Sequence, residues 1–147
     1  MDDIVQFLRD CLDEDEQTAC AAAPGPWRAD GGSVYVGHPI NEIVDYSESA
    51  EHIARHDPVR VLAEVDAKRQ LLSDILKQSH DWNEEDHWYS CSALRDETGE
   101  LLCTNDARAG APCDCGRDQT VERRVRLLAL PYAGHPAYRE DWRPTST

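Results

Sequence analysis

The chain of 147 residues has one methionine, one phenylalanine and only two lysines, Lys68 and Lys77, and it holds no long apolar run. No segment approaches the ~20 apolar residues that a bilayer-crossing helix needs, so no membrane span is expected. The opening MDDIVQFLRD has acids where a secretory leader carries positive charge, and the expectation is a cytoplasmic protein. Basic residues are scarce as well: 15 Lys and Arg against 29 Asp and Glu leave a net charge of -14. Contacts to a phosphate backbone require a cationic face, so direct nucleic-acid binding is not expected. Phosphate loops, dinucleotide fingerprints, nucleophile elbows and kinase motifs are all missing, and neither Cys11 nor Cys20 has a cysteine-protease context. These absences weigh towards a non-enzymatic role.

What is present is helical periodicity. Val61, Leu62, Val65, Leu72, Ile75 and Leu76 recur at three-and-four spacing, with Arg69 interrupting the stripe. Asp57 suits the capping position and Pro58 the first turn, which predicts a helix starting at Pro58. A first helix is expected from about Asp3 to Thr18, burying Ile4, Val5, Leu8, Cys11 and Leu12, with the acids at 13–16 on a solvated face. Pro24, Gly25 and Pro26 break it, leaving Trp27 to pack. Ser33 to Val36 and Ile40 to Val44 read as two short strands joined through Gly37, His38 and Pro39, a small antiparallel β-hairpin. Asp45 with Glu48 resembles a capping box ahead of a short helix through Ala50, Ile53 and Ala54. From about Thr120, Val121, Val125 and Leu128 share a helix face that is expected to pack against the main helix, until Pro131 ends it. A last helical turn is expected from Pro136, anchored by Tyr132, Tyr138 and Trp142. The expected fold is therefore α+β in a single domain, 1–147: a mainly helical core of three principal helices, the hairpin beside it, and a Cys/His-rich insertion over 79–118.

That insertion carries the strongest chemistry. A turn at Asp96 to Gly99 would bring Cys91 and Cys103 together, and the chain returns through Pro112 to Cys113 and Cys115. Four thiolates make a tetrahedral Zn2+ site, with His87 as an alternative ligand, and such a closed site is structural rather than catalytic. Free thiols, or a disulfide between Cys91 and Cys103, remain the alternatives. His52 and His56 stand four apart, as in histidine metal pairs, but Ile53 occupies the place of the glutamate in H-E-x-x-H, and the helix ends close enough to leave their alignment open. His80, Asp81, Glu84, Glu85, Asp86 and His87 read as a solvated loop anchored by Trp82 and Trp88.

Three stretches, DDIVQFLRDCLDEDEQTACAAAPGPW, AEHIARHDPVRVLAEVDAKRQLL and RLLALPYAGHPAYREDWRP, resemble a family of small proteins of unknown function from actinobacteria and their phages. The resemblance implies no activity, cofactor or catalytic residue; it implies a variable, cysteine-containing region between the matching blocks. The hairpin, short helix and proline-started helix are also similar to modules in phage accessory proteins. The expected function is a zinc-stabilised accessory domain that binds a protein partner through exposed members of Trp27, Trp82, Trp88 and Trp142, with a homodimer left open. Two rivals stand beside it. A metal-dependent hydrolase would use His52, His56, His80 or His87 in a concave pocket; an acidic nucleic-acid mimic would align the carboxylates of Asp13 to Glu16 and Glu84 to Asp86.

Overall fold

The computed structural model describes residues 1–37, 41–78 and 116–144. Among the described residues four α-helices and three short strands follow one another: α1 (Asp2–Ala21), β1 (Trp27–Asp30), β2 (Ser33–Val36), β3 (Asn41–Val44), α2 (Ala50–Arg55), α3 (Pro58–Lys77) and α4 (Arg117–Ala129), then 3-10 turns at Leu130–Tyr132 and Glu140–Trp142. The chain divides into two compact units, Phe7–Arg69 and a second made of Met1–Gln6 with Gln70–Thr147.

In the first unit the strands form one antiparallel sheet in the order β1-β2-β3. The expected hairpin is present as β2 and β3, with Tyr35 opposite Glu42 and Val36 opposite Asn41. Ile43 is left without a partner between Glu42 and Val44, a bulge that lets Val34 meet Val44. The two-strand expectation is corrected by β1, which pairs with β2 through Asp30 opposite Ser33. Gly31 and Gly32 make this turn, with φ of 60° and 91°, the pair of positive values that a two-residue hairpin loop requires and that only glycine adopts at little cost. Val34 and Val36 share one face of β2 and are buried, Ser33 is also buried, and Tyr35 is half-buried.

Helix α1 is longer than expected at both ends, and Asp2 and Asp3 occupy its first turn, where the helix dipole favours acids. Within the first unit it buries Phe7, Leu8, Cys11, Leu12 and Ala19; from the other elements Val34, Val36, Ala50 and Val65 are buried. Arg69 of α3, which looked like a break in an apolar stripe, reaches Asp13 at 2.6 Å and Glu16 at 2.8 Å. The acid run is thus not simply a solvated face.

Helix α3 begins where Asp57 and Pro58 placed it. The Arg60 amide donates to Asp57 Oδ1 at 2.9 Å, the side-chain cap that the sequence implied. The capping box at Asp45 and Glu48 is corrected: α2 starts at Ala50, and Ser47 makes the preceding turn, its hydroxyl accepting from the Ser49 amide and its carbonyl from the Ala50 amide, both at 3.1 Å.

Among the described residues of the second unit, Ile4, Val5, Leu72, Ile75, Val121, Val125, Ala129 and Trp142 are buried. Helix α4 starts three residues earlier than its apolar pattern suggested, after Gly116 in a left-handed conformation (φ 81°). Arg117 and Asp118, assigned from sequence to the insertion, form its first turn. Helix α4 ends at Ala129, two residues before Pro131, as expected, and Pro131 sits at the start of the 3-10 turn that follows, where no amide is needed from it. The last turn lies at Glu140–Trp142 rather than at Pro136. There Trp142 meets Tyr138 edge-on at 5.9 Å, with Arg139 over its ring and bound to Asp141.

Candidate functional site

Three places among the described residues combine exposure with usable chemistry. In the second unit, α3 and α4 face one another across a cavity of about 340 Å³ lined by Leu71, Ile75, Arg124, Leu127 and Leu128. Ile75 is its buried floor, while Leu71 and Leu127 remain 50% and 43% exposed. Leu71 lies off the stripe made by Leu72, Ile75 and Leu76, which explains why it faces outwards. Arg123 and Arg124 are exposed on α4, so the rim is cationic in a chain of net charge -14.

In the first unit a cavity of about 420 Å³ lies at the end of the sheet, lined by Gly25, Pro26, Trp27, Arg28, Tyr35, Val36 and Gly37. Trp27 is fixed at both nitrogens. Its indole Nε1 donates to the Ala23 carbonyl at 2.8 Å, and its backbone amide donates to Asp57 Oδ2 at 3.1 Å. Asp57 is buried, and its two oxygens therefore join the start of β1 to the first turn of α3. Gly25 permits this approach: a Cβ there would stand 2.8 Å from Asp57 Oδ2.

The third place is the histidine pair. His52 is exposed on α2 and His56 is exposed at its C-cap. The two rings lie 4.3 Å apart between centroids at an interplanar angle of 40°. The helix ends at Arg55, yet the rings still meet, because His56 Nδ1 donates to the His52 carbonyl at 2.9 Å and this bond holds the second ring against the first. Nearby, Arg60 and Glu64 pair at 2.7 Å, and the hydrogen bond from Arg60 holds the Glu64 carboxyl below its ordinary value.

A family model described as "Family of unknown function (DUF6221)" matches residues 1–144. The chain belongs to this family. No curated protein and no solved structure gives a significant match.

In this DUF6221 chain the expected zinc ligands Cys91, Cys103, Cys113 and Cys115, the alternative ligand His87, and the cluster from His80 to Asp86 lie outside the described residues. Among the described residues no three His, Cys, Asp or Glu side chains come together as metal ligands, and no helix is long and apolar enough to cross a membrane. Cys11 is buried in α1, and burial together with Glu14, Asp15 and Asp10 pushes its thiol up to about 11, which keeps it in the unreactive protonated form. Cys20 is exposed. Of the four tryptophans named for a patch, Trp142 is buried and Trp27 is half-buried, its indole Nε1 donating to the Ala23 carbonyl, while Trp82 and Trp88 lie outside the described residues. Among the described residues the exposed large apolar side chains are Met1, Tyr46, Val59, Leu71, Leu127 and Leu130. Of the two acid runs of the mimic reading, 84–86 lies outside the described residues, and two carboxylates of 13–16 are paired with Arg69.

Proposed function

We propose that this protein is a non-enzymatic protein-interaction domain whose docking surface is the leucine cleft between α3 and α4 in the second unit. The observation that carries this reading is the pair Leu71 and Leu127, both about half exposed, over the buried floor of Ile75. Large apolar side chains gathered at a cleft and rimmed by charge favour association, since covering them removes apolar area from water at about 25 cal/mol per Å². The occupant is an amphipathic helix of a partner protein, presenting two or three apolar side chains to the leucines and a carboxylate to Arg124. The cationic rim supports an acidic partner and directs it to this face, away from the rest of an anionic chain. The second part of the proposal is a structural Zn2+ held by Cys91, Cys103, Cys113 and Cys115, with His87 as the alternative ligand; its support is the sequence spacing.

The test places a photo-crosslinking amino acid at position 127 of the full-length chain in its native cell and identifies adducts by mass spectrometry. A single partner, attached through an acid-bearing helical segment and lost on Arg124→Glu, is the expected result. Adducts only to the chain itself, or none, would overturn it.

A further inference from the structure

We infer that His52 and His56 form a two-imidazole site for a divalent first-row transition-metal ion such as Zn2+. Neither the cysteine set nor the leucine cleft carries any part of this inference. Spacing alone is weak ground, because two histidines four apart on a short helix are common on protein surfaces. Two further observations raise this pair above spacing.

The first is that the rings have converged. Their centroids are 4.3 Å apart although both residues are exposed, a contact that the His56 Nδ1 bond to the His52 carbonyl holds in place. Two Zn–N bonds of 2.0–2.1 Å in tetrahedral geometry set the ligating nitrogens about 3.4 Å apart. On one tetrahedral ion two imidazole centroids stand about 5 Å apart, so binding opens the rings by under about 1 Å from their present contact.

The second is the orientation of His56. A carbonyl oxygen accepts only, so the 2.9 Å contact between Nδ1 and the His52 carbonyl requires the proton on Nδ1. In the neutral ring that leaves Nε2 with its lone pair available. A ligating histidine commonly has its second nitrogen donating to a carbonyl or carboxylate, which fixes both tautomer and ring direction. His56 therefore has the second-shell arrangement of a ligand before any ion arrives. Imidazole suits zinc, copper and nickel over magnesium or calcium, and water would complete the coordination. The neighbouring charges are Glu51 and Arg55 on α2, with Arg60 and Glu64 engaged with each other on α3.

The test titrates Zn2+ into the full-length chain labelled with nitrogen-15 at histidine and follows long-range proton–nitrogen NMR spectra, with calorimetry in parallel. The Nε2 resonances of His52 and His56 should move together and saturate with one ion, while Nδ1 of His56 keeps its proton. Because the second imidazole binds intramolecularly, His52→Ala or His56→Ala should each weaken this event roughly tenfold or more and leave ions bound by other residues in place. Resonances that stay still up to millimolar Zn2+, a shift of one ring without the other, or unchanged calorimetry in both variants would overturn the site. The wild-type spectra decide the matter even if a variant folds poorly.

Discussion

Arg69 shows how far a single side chain can depart from what its neighbours in sequence suggest. Its partners Asp13 and Glu16 lie 56 and 53 residues away, and no local pattern encodes a contact at that separation. The hydrogen bond from Arg69, and its charge after that, hold the Glu16 carboxyl below the ordinary value of 4.5. A lowered folded-state value means that the stabilisation is complete above the unfolded value, near pH 4.5, and disappears as pH falls through the folded one. Arg69→Ala should therefore unfold at a slightly lower temperature than the parent at pH 7, by roughly a few degrees for so exposed a pair, and the gap should narrow as the pH falls below about 4.5. Thermal scans of both proteins across that range check it. The capping role of Asp57, in contrast, was legible, since a helix start is a local event and Asp-Pro satisfies it with adjacent residues.

At the scale of elements, the helices were readable and their ends less so. Apolar spacing located α1, α3 and α4, but it is silent in polar first turns such as Arg117–Thr120. The sheet was read by half. Asp30-Gly31-Gly32-Ser33 is a strong local signal for a two-residue hairpin, yet β1 is short, contains Arg28 and Asp30, and alternates only weakly, so Trp27 alone stood out as apolar. That turn offers a direct check. Gly32→Ala forces a side chain into a φ of 91° and puts a Cβ 2.7 Å from the Tyr46 ring. Tyr46 is 73% exposed and can swing aside, so the backbone strain dominates, and the reduced freedom of the unfolded chain offsets part of it. The variant should lose about 1 kcal/mol in denaturant unfolding, and an unchanged midpoint would refute the role assigned to the turn. The spacing of His52 and His56 was visible in the same way, whereas the ring contact was not, because it depends on how α2 terminates.

For the whole molecule, charge is the property that sequence fixes most completely and places least well. A net -14 states how much repulsion there is, and the structure adds that the neighbouring Arg123 and Arg124 are exposed on α4. The described ion pairs are mostly exposed, worth about 0–1 kcal/mol each, so long-range repulsion should outweigh them. Raising NaCl from ~10 to ~200 mM should raise the melting temperature, since salt screens the repulsion; a fall would mean that the ion pairs dominate. The leucine cleft was hidden from sequence because its exposed members, Leu71 and Leu127, differ from buried leucines only in where their helices turn them. Asp57 has a wider consequence than its two bonds. One buried carboxylate accepts from both the Trp27 and the Arg60 amide, 33 residues apart in the chain, so fraying at the head of α3 also unfastens the edge of the sheet. The two amides then share one opening event, and their deuterium uptake should rise in step as denaturant is added, which would make β1 and the first turn of α3 parts of a single cooperative folding unit.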